Sequence, residues 1–369
     1  MHPMIKPALR RAWRDRQTVQ YGAAPAHAVL LGPVDNTTAG FMELMDGTRS
    51  LVQLREEAAR LGLSSATADR LVERLSSAGV LDDATADRQA AASVSDGLRP
   101  DLGSLSVVHR EPGGGLRRLV ARREKSVQVR GAGRVGALVA STLSAAGVGE
   151  VDVVDGGHVE PWDTVPGGIT AEAVGERRDA AARKAVSRAR PWRSRARGRT
   201  RGAVGLVVVA PRDGLDAYAP DPASSEGFVQ AGTPHLYGGV VESTGVVGPL
   251  VLPGVSPCAG CMLRGRAERD PSWPLVVGQW RTSGRRRAGV PACDVALATM
   301  VAGAIASYAL SYLDGDGGCA AGYRVRFSMP HLTGDTEQLS AHPECPCGAA
   351  LVTAELPPSA EALEEVTMA

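Results

Sequence analysis

The stretch Val127-Gln128-Val129-Arg130-Gly131-Ala132-Gly133-Arg134-Val135-Gly136 reads as a short strand running into three spaced glycines and then a helix over 135–146. That context lifts a Gly-x-Gly-x-x-Gly match above coincidence. Gly131 permits a tight turn, Gly133 lets a phosphate approach the backbone, and Gly136 lets the helix pack on its strand. The helix start then offers unpaired N–H groups to an anion. Asp155 ends the following strand, over 151–155, where a carboxylate accepts both ribose hydroxyls. A carboxylate there repels a 2′-phosphate, so ATP or NAD suits the site better than NADP.

Working outward, strands and helices alternate: helix 116–123, strand 127–130, helix 135–146, strand 151–155, helix 177–190, strand 206–210. This order predicts a Rossmann-like, mainly parallel α/β sheet flanked by helices. A later helix, 294–313, is apolar almost throughout and reads as buried. Two cysteine pairs follow, Cys258-Ala259-Gly260-Cys261 and Cys345-Pro346-Cys347. Pro257, Gly260, Pro346 and Gly348 supply the turns of a metal knuckle. Four thiolates in two doublets suit one closed tetrahedral zinc of structural type, with His342 a competing ligand.

Composition excludes more than it names. The 369 residues are 44% hydrophobic, enough for a sizeable core. Lys plus Arg number 41 against 40 Asp plus Glu, which gives no overall pull toward nucleic acid or membrane. The first sixteen residues are basic without an apolar run, unlike a secretory signal. Six cysteines in such a chain fit a reducing cytoplasm better than disulfides.

Residues 1–82 read as a separate unit: a strand at Ala28–Leu31, a helix from Asn36 past Phe41 and Met45, a helix opened by the capping-box pair Ser50 and Gln53, and another from Ser65 carrying Leu71 and Leu75. One strand and three short helices make a winged-helix-like arrangement. The polar, weakly periodic 83–115 segment reads as a linker, 116–350 as the nucleotide-binding domain, and 351–369 as an acidic tail.

With the glycine loop and cysteine pairs in place, residues 116–348 resemble the ThiF-like family, the adenylyltransferase fold shared with ubiquitin-activating enzymes. The resemblance implies ATP held by Gly131, Gly133, Gly136 and Asp155. Gly175-Glu176-Arg177-Arg178 matches the family's phosphate-contacting segment, with Arg178 in place of the usual lysine. Asp213, in Leu206-Val-Val-Val-Ala-Pro-Arg-Asp213-Gly214, matches the magnesium aspartate, while the adjacent Asn is lost. Cys258, Cys261, Cys345 and Cys347 match the zinc pairs. The family's Asn-x-x-Arg-Gln motif has no counterpart, since residues 156–169 contain neither Asn nor Arg. The implied activity is ATP-dependent adenylation of the carboxylate of a peptide or small protein modifier. A homodimer is the family's common arrangement.

Residues 1–82 resemble the PqqD-like peptide-recognition unit through Lys6-Pro7, Trp13-Arg14 and Asp46-Gly47-Thr48-Arg49. That implies a second reading: a scaffold with weakened chemistry that binds a precursor's leader peptide on the 28–31 strand edge and presents it to a YcaO-type cyclodehydratase. An NAD oxidoreductase rests on the glycine loop alone. Weaker candidates are Cys293 as a thioester nucleophile, His235 on the acceptor side, and His158 and Glu160 near substrate. The arginine-dense 188–201 stretch reads as a solvated face, and Cys319 has no assigned role.

Overall fold

The computed structural model describes residues 1–85, 94–191, 203–286, 289–316 and 321–351. Cys319, most of the arginine-dense stretch and all but the first residue of the acidic tail lie outside these. The chain forms two compact units, Met1–Glu124 with Pro191–Arg195, and Lys125–Arg190 with Ala196–Ala369.

In the first unit, β1 (Pro3–Ile5) pairs antiparallel with β5 (Leu81–Asp83). β2 (Arg11–Trp13), β3 (Val19–Tyr21) and β4 (Val29–Leu31) form a three-stranded antiparallel sheet. The sequence reading had only the last of these strands, because β2 and β3 are too short to show a period. Three helices follow: α1 (Asn36–Glu43), α2 (Leu51–Arg60) and α3 (Ser65–Ser77). The Ser50–Gln53 capping box forms in both directions. Tyr21, Phe41, Met45, Leu54 and Leu75 are fully buried on the inner faces.

The 83–115 segment is more than a linker. It contains α4 (Arg99–Val108) and leads into α5 (Gly114–Arg122), and Leu98, Leu105 and Leu119 bury one another between them. Lys6 explains the docking: its buried ammonium donates to the carbonyls of Ser106, His109 and Arg110. Asp46-Gly47-Thr48-Arg49 is a local turn, with Asp46 accepting from the Thr48 amide at 2.8 Å and from Arg49 at 3.1 Å.

In the second unit, β6 (Ser126–Arg130), β7 (Glu150–Val154), β8 (Leu206–Val209) and β9 (His235–Val241) run parallel. An antiparallel meander of β10 (Thr244–Val251), β11 (Tyr323–Ser328) and β12 (Thr333–Gln338) extends them to seven strands, in the order β12-β11-β10-β9-β8-β6-β7. The parallel strands of the α/β expectation are present; the meander is an addition to it. α6 (Arg134–Ala145) and α7 (Arg178–Ala189) carry the crossovers from β6 to β7 and from β7 to β8. α8 (Leu215–Tyr218) and α9 (Pro222–Gln230) lie between β8 and β9, and α10 (Ala259–Arg269), α11 (Trp273–Arg286) and α12 (Val295–Asp314) between β10 and β11.

Val127 and Val129 of β6 join Leu138 and Leu143 of α6 and Val301 and Ile305 of α12 in one core cluster. Each such buried side chain contributes about 1.5–3 kcal/mol. Among the described residues α12 alone has the length and apolarity to cross a membrane, yet Leu297, Val301, Ile305 and Leu313 are buried in the protein.

Gly131 has φ +108° and a Cβ there would stand 1.9 Å from the Ala210 carbonyl oxygen, while one at Gly136 would meet the Gly131 carbonyl at 2.1 Å. Gly131→Ala is expected to cost about 3 kcal/mol or more, read as a lower urea midpoint with unchanged m. An unchanged midpoint would contradict this close approach.

Candidate functional site

The loops after β6, β7 and β8 meet at the carboxyl ends of the parallel strands, where open α/β sheets bind ligands. Asp155 stands just past β7. Its Oδ2 accepts from the Ala132 amide at 2.8 Å, and its Oδ1 from the Gly157 amide at 2.9 Å and Arg178 Nε at 3.0 Å. Burial alone would raise its carboxyl; the Gly157 amide, Arg178 and the Ala132 amide outweigh that and hold it below the usual range.

Arg178, at the start of α7, therefore meets the carboxylate expected to take ribose. Nη2 lies 2.9 Å from Asp155 Oδ1, Nη1 donates to the His158 carbonyl at 2.7 Å, and Asp163 is 3.6 Å away. Its guanidinium covers Gly157, where a Cβ would fall 2.0 Å from Nη2. The side chains of Arg178 and Asp155 are only 14% and 8% exposed.

A second cluster adjoins it. Arg212 Nε donates to Asp163 Oδ1 at 2.6 Å, and its Nη2 pairs with Glu160. Asp163 is itself buried and accepts from the Glu160 amide at 2.9 Å. Arg212 and Asp163 were given no role from sequence: Arg212 entered only as the neighbour of Asp213 in the 206–214 segment, and only folding brings the 160–163 turn to the β8 loop.

Two clefts flank the glycine loop. The larger, about 320 Å³, is lined by Gly131, Asp155, Arg212, Asp216, Phe228 and Tyr237, among others. The smaller, about 50 Å³, includes Gly133, Arg134, Trp162, Asp163, Arg212 and Cys293. Gly131, Gly133, Asp155 and Arg178 are thus gathered at one place, with Gly136 packed beneath the loop. Asp213 is exposed, its Oδ1 accepting from the Leu215 amide at 3.2 Å. It lines neither cleft, whereas Asp216 and Asp221 line the larger.

Burial pushes the Cys293 thiol up to about 11, away from the thiolate form a nucleophile uses. His235 is fully buried between the Phe228 and Tyr237 rings, and burial lowers its pKa. It is a neutral packing residue.

The four knuckle cysteines converge on one point. Their sulfurs all lie within 4.8 Å of one another, with Cys258–Cys345 and Cys261–Cys347 both at 3.5 Å. A tetrahedral ion with metal–sulfur bonds of about 2.3 Å sets its ligands about 3.8 Å apart, which fits. Without an ion the cluster shares its protons unevenly: the hydrogen bond from Cys258 holds the Cys261 thiol low, while Cys258 and Cys345 are pushed up; a bound metal takes all four as thiolates. Gly260 leaves room for the cluster, since a Cβ there would be 3.1 Å from the Cys345 sulfur. His342 is committed elsewhere, with Nε2 2.9 Å from Glu268 and Nδ1 accepting from the Glu344 amide at 3.1 Å.

This nucleotide-binding class of α/β fold, with its four-sulfur clasp, has known relatives. Residues 114–347 match the ThiF family, and the chain belongs to that family. E. coli MccB superposes with TM-score 0.68 at 12% identity over 94% of this chain and 97% of its own. MccB with ATP gives 0.68 at 13%, covering 94% and 100%. The heterocyclase TruD gives 0.59 at 18%, covering 94% of this chain and 43% of TruD. The search of curated proteins gives no match.

Purified without chelator, the protein is expected to carry about one tetrahedral divalent ion per chain, by elemental analysis. Cys345→Ser should lose the ion and lower the melting temperature. Metal-free protein with an unaltered melt in this variant would count against the clasp.

Proposed function

We propose that this chain is an ATP-dependent adenylyltransferase that activates the carboxylate of a peptide or small protein modifier. The observation that carries this reading is the convergence of Asp155, the uncapped start of α6 and an arginine-bearing cleft of about 320 Å³ on one glycine loop. ATP enters with its ribose hydroxyls on Asp155 and its phosphates along the loop amides. A peptide carboxylate oxygen attacks the α-phosphorus, the bond to the bridging oxygen breaks, and acyl-adenylate and pyrophosphate form. No protein nucleophile is needed, because orientation and charge stabilisation carry the step. Magnesium, when bound, neutralises phosphate charge, and Asp213 is the residue assigned to it. Arg178 reaches phosphate only after leaving Asp155.

MccB has been solved with ATP and with N-formylated MccA, and a peptide substrate is the reading here. Zinc is the ion assigned to the cysteine clasp. A cytoplasmic location and a homodimer belong to the same reading.

A second reading is favoured by the Arg178–Asp155 pair, which occupies the ribose carboxylate, and by the missing arginine in residues 156–169. In it the chain is a leader-peptide scaffold serving a YcaO-type enzyme. The first unit, a small sheet followed by three helices, would act as a winged-helix-like, PqqD-type recognition unit binding the leader along β4. The TruD likeness is compatible with this role.

ATP–pyrophosphate exchange separates the two. The enzyme reading expects peptide-dependent exchange, lowered about 100-fold by Asp155→Ala and strongly by Asp213→Ala. No exchange, combined with tight leader-peptide binding by the full chain, would favour the scaffold.

A further inference from the structure

Arg212, a residue not assigned from sequence, packs against the glycine loop at Gly133. It follows β8 and lines both clefts beside the loop. Its Cα and Cγ lie 3.1 and 3.0 Å from where a Cβ on Gly133 would stand. Gly133 is the N-cap of the twelve-residue α6, and no side chain caps that helix.

A helix start carries roughly half a positive charge. The Arg212 backbone and the base of its side chain pack against Gly133, and its guanidinium, held by Asp163 and Glu160, has the same sign as the helix start; an anion between the two would be attracted by both. Asp163 and Glu160 neutralise the guanidinium, but neither caps the amides of α6.

The other arginines lining these clefts are committed. Arg130 bonds Gln128 at 2.9 Å and stacks 4.5 Å over Phe228, and Arg134 donates to the Cys293 carbonyl at 2.8 Å. Arg178 is held by Asp155 and the His158 carbonyl. Residues 156–169 carry Glu160 and Asp163 but no Lys or Arg.

We propose that Arg212 is the phosphate-contacting arginine of this site, receiving the polyphosphate of a nucleoside triphosphate between its guanidinium and the start of α6. The proposal rests on the nucleotide reading above. The two carboxylates divide the work. Asp163, 2% exposed, stays as the anchor that orients the fork, while Glu160, 41% exposed, is the partner phosphate displaces. An exposed ion pair is worth little and opens readily, whereas a guanidinium–phosphate pair is strong and bidentate.

The test is titration calorimetry on the full chain with a non-hydrolysable ATP analogue and, separately, adenosine. Arg212→Ala is expected to weaken the analogue roughly 10- to 100-fold and to leave adenosine within about twofold. Arg212→Lys should restore part of the loss, and Glu160→Gln should tighten the analogue. Because Arg212→Ala leaves buried Asp163 with only the more distant Arg178, 3.6 Å away, as a cation, Arg212→Lys and Arg212→Gln provide the same comparison if it does not fold. Wild-type analogue affinity in a folded Arg212→Ala or Arg212→Gln overturns the proposal alone. Equal loss for analogue and adenosine also overturns it, marking a merely structural role. If the wild-type protein binds neither ligand, the nucleotide reading falls and takes this proposal with it.

Discussion

The site depends on the contact between Gly131 and Ala210. The Ala210 amide donates to the Arg130 carbonyl at 2.8 Å, continuing the β6–β8 ladder one residue beyond the strands. The Ala210 carbonyl then lies where a side chain on Gly131 would be. Because that space is free, the β6 chain turns back under the β8 loop. Asp155 can then reach the Ala132 amide, and Arg212 can lie over Gly133. The functional groups come from three separate loops, and this contact sets their common origin.

Once assembled, these loops carry Asp155, Arg178, Asp163, Arg212 and Glu160 as a chain of opposite charges. The members differ sharply in what opening them costs. Arg178–Asp155 is nearly dry, so removing either partner strands a buried charge, an effect of several kcal/mol. Arg212–Glu160 is half in water and yields easily. A polyphosphate can therefore enter on the Arg212 side without disturbing the fold, but ribose must compete with Arg178. Turnover demands that the dry pair open or share; a scaffold demands that it stay shut.

Much of this was legible in the sequence. The β6–α6–β7 run and α12 follow from periodicity, and the cysteine clasp from two spaced doublets with their turn residues. The Ser50 capping box was also local and readable. What escaped was non-local. β2 and β3 have three residues each and owe their pairing to the sheet. Helix α4, inside the 83–115 segment, was hidden because its docking rests on Lys6, a residue about a hundred positions upstream. The meander β10–β12 was unread because long helices separate its strands. At the site, Asp155, the glycines and Arg178 came from motifs, but the pairing of Arg178 with Asp155 did not. That Arg178 would turn to Asp155, and Arg212 to Asp163, depends on which loops fold together, and spacing along the chain carries no such information.

Both functional readings require a peptide to be held, and the first unit bears on how. β4 is an edge of its three-stranded sheet, paired with β3 alone among the named strands. Edge strands are normally blunted by charge or by an inward-pointing polar residue. β4 is Val29-Leu30-Leu31, with Leu30 53% exposed, and it carries no charge. The opposite edge, β2, differs: it carries Arg11, paired with Glu43. One edge is protected and the other left open and apolar, an asymmetry suited to strand addition by an extended peptide. Main-chain bonds would supply affinity there with little regard to sequence, leaving specificity to the side chains on either face.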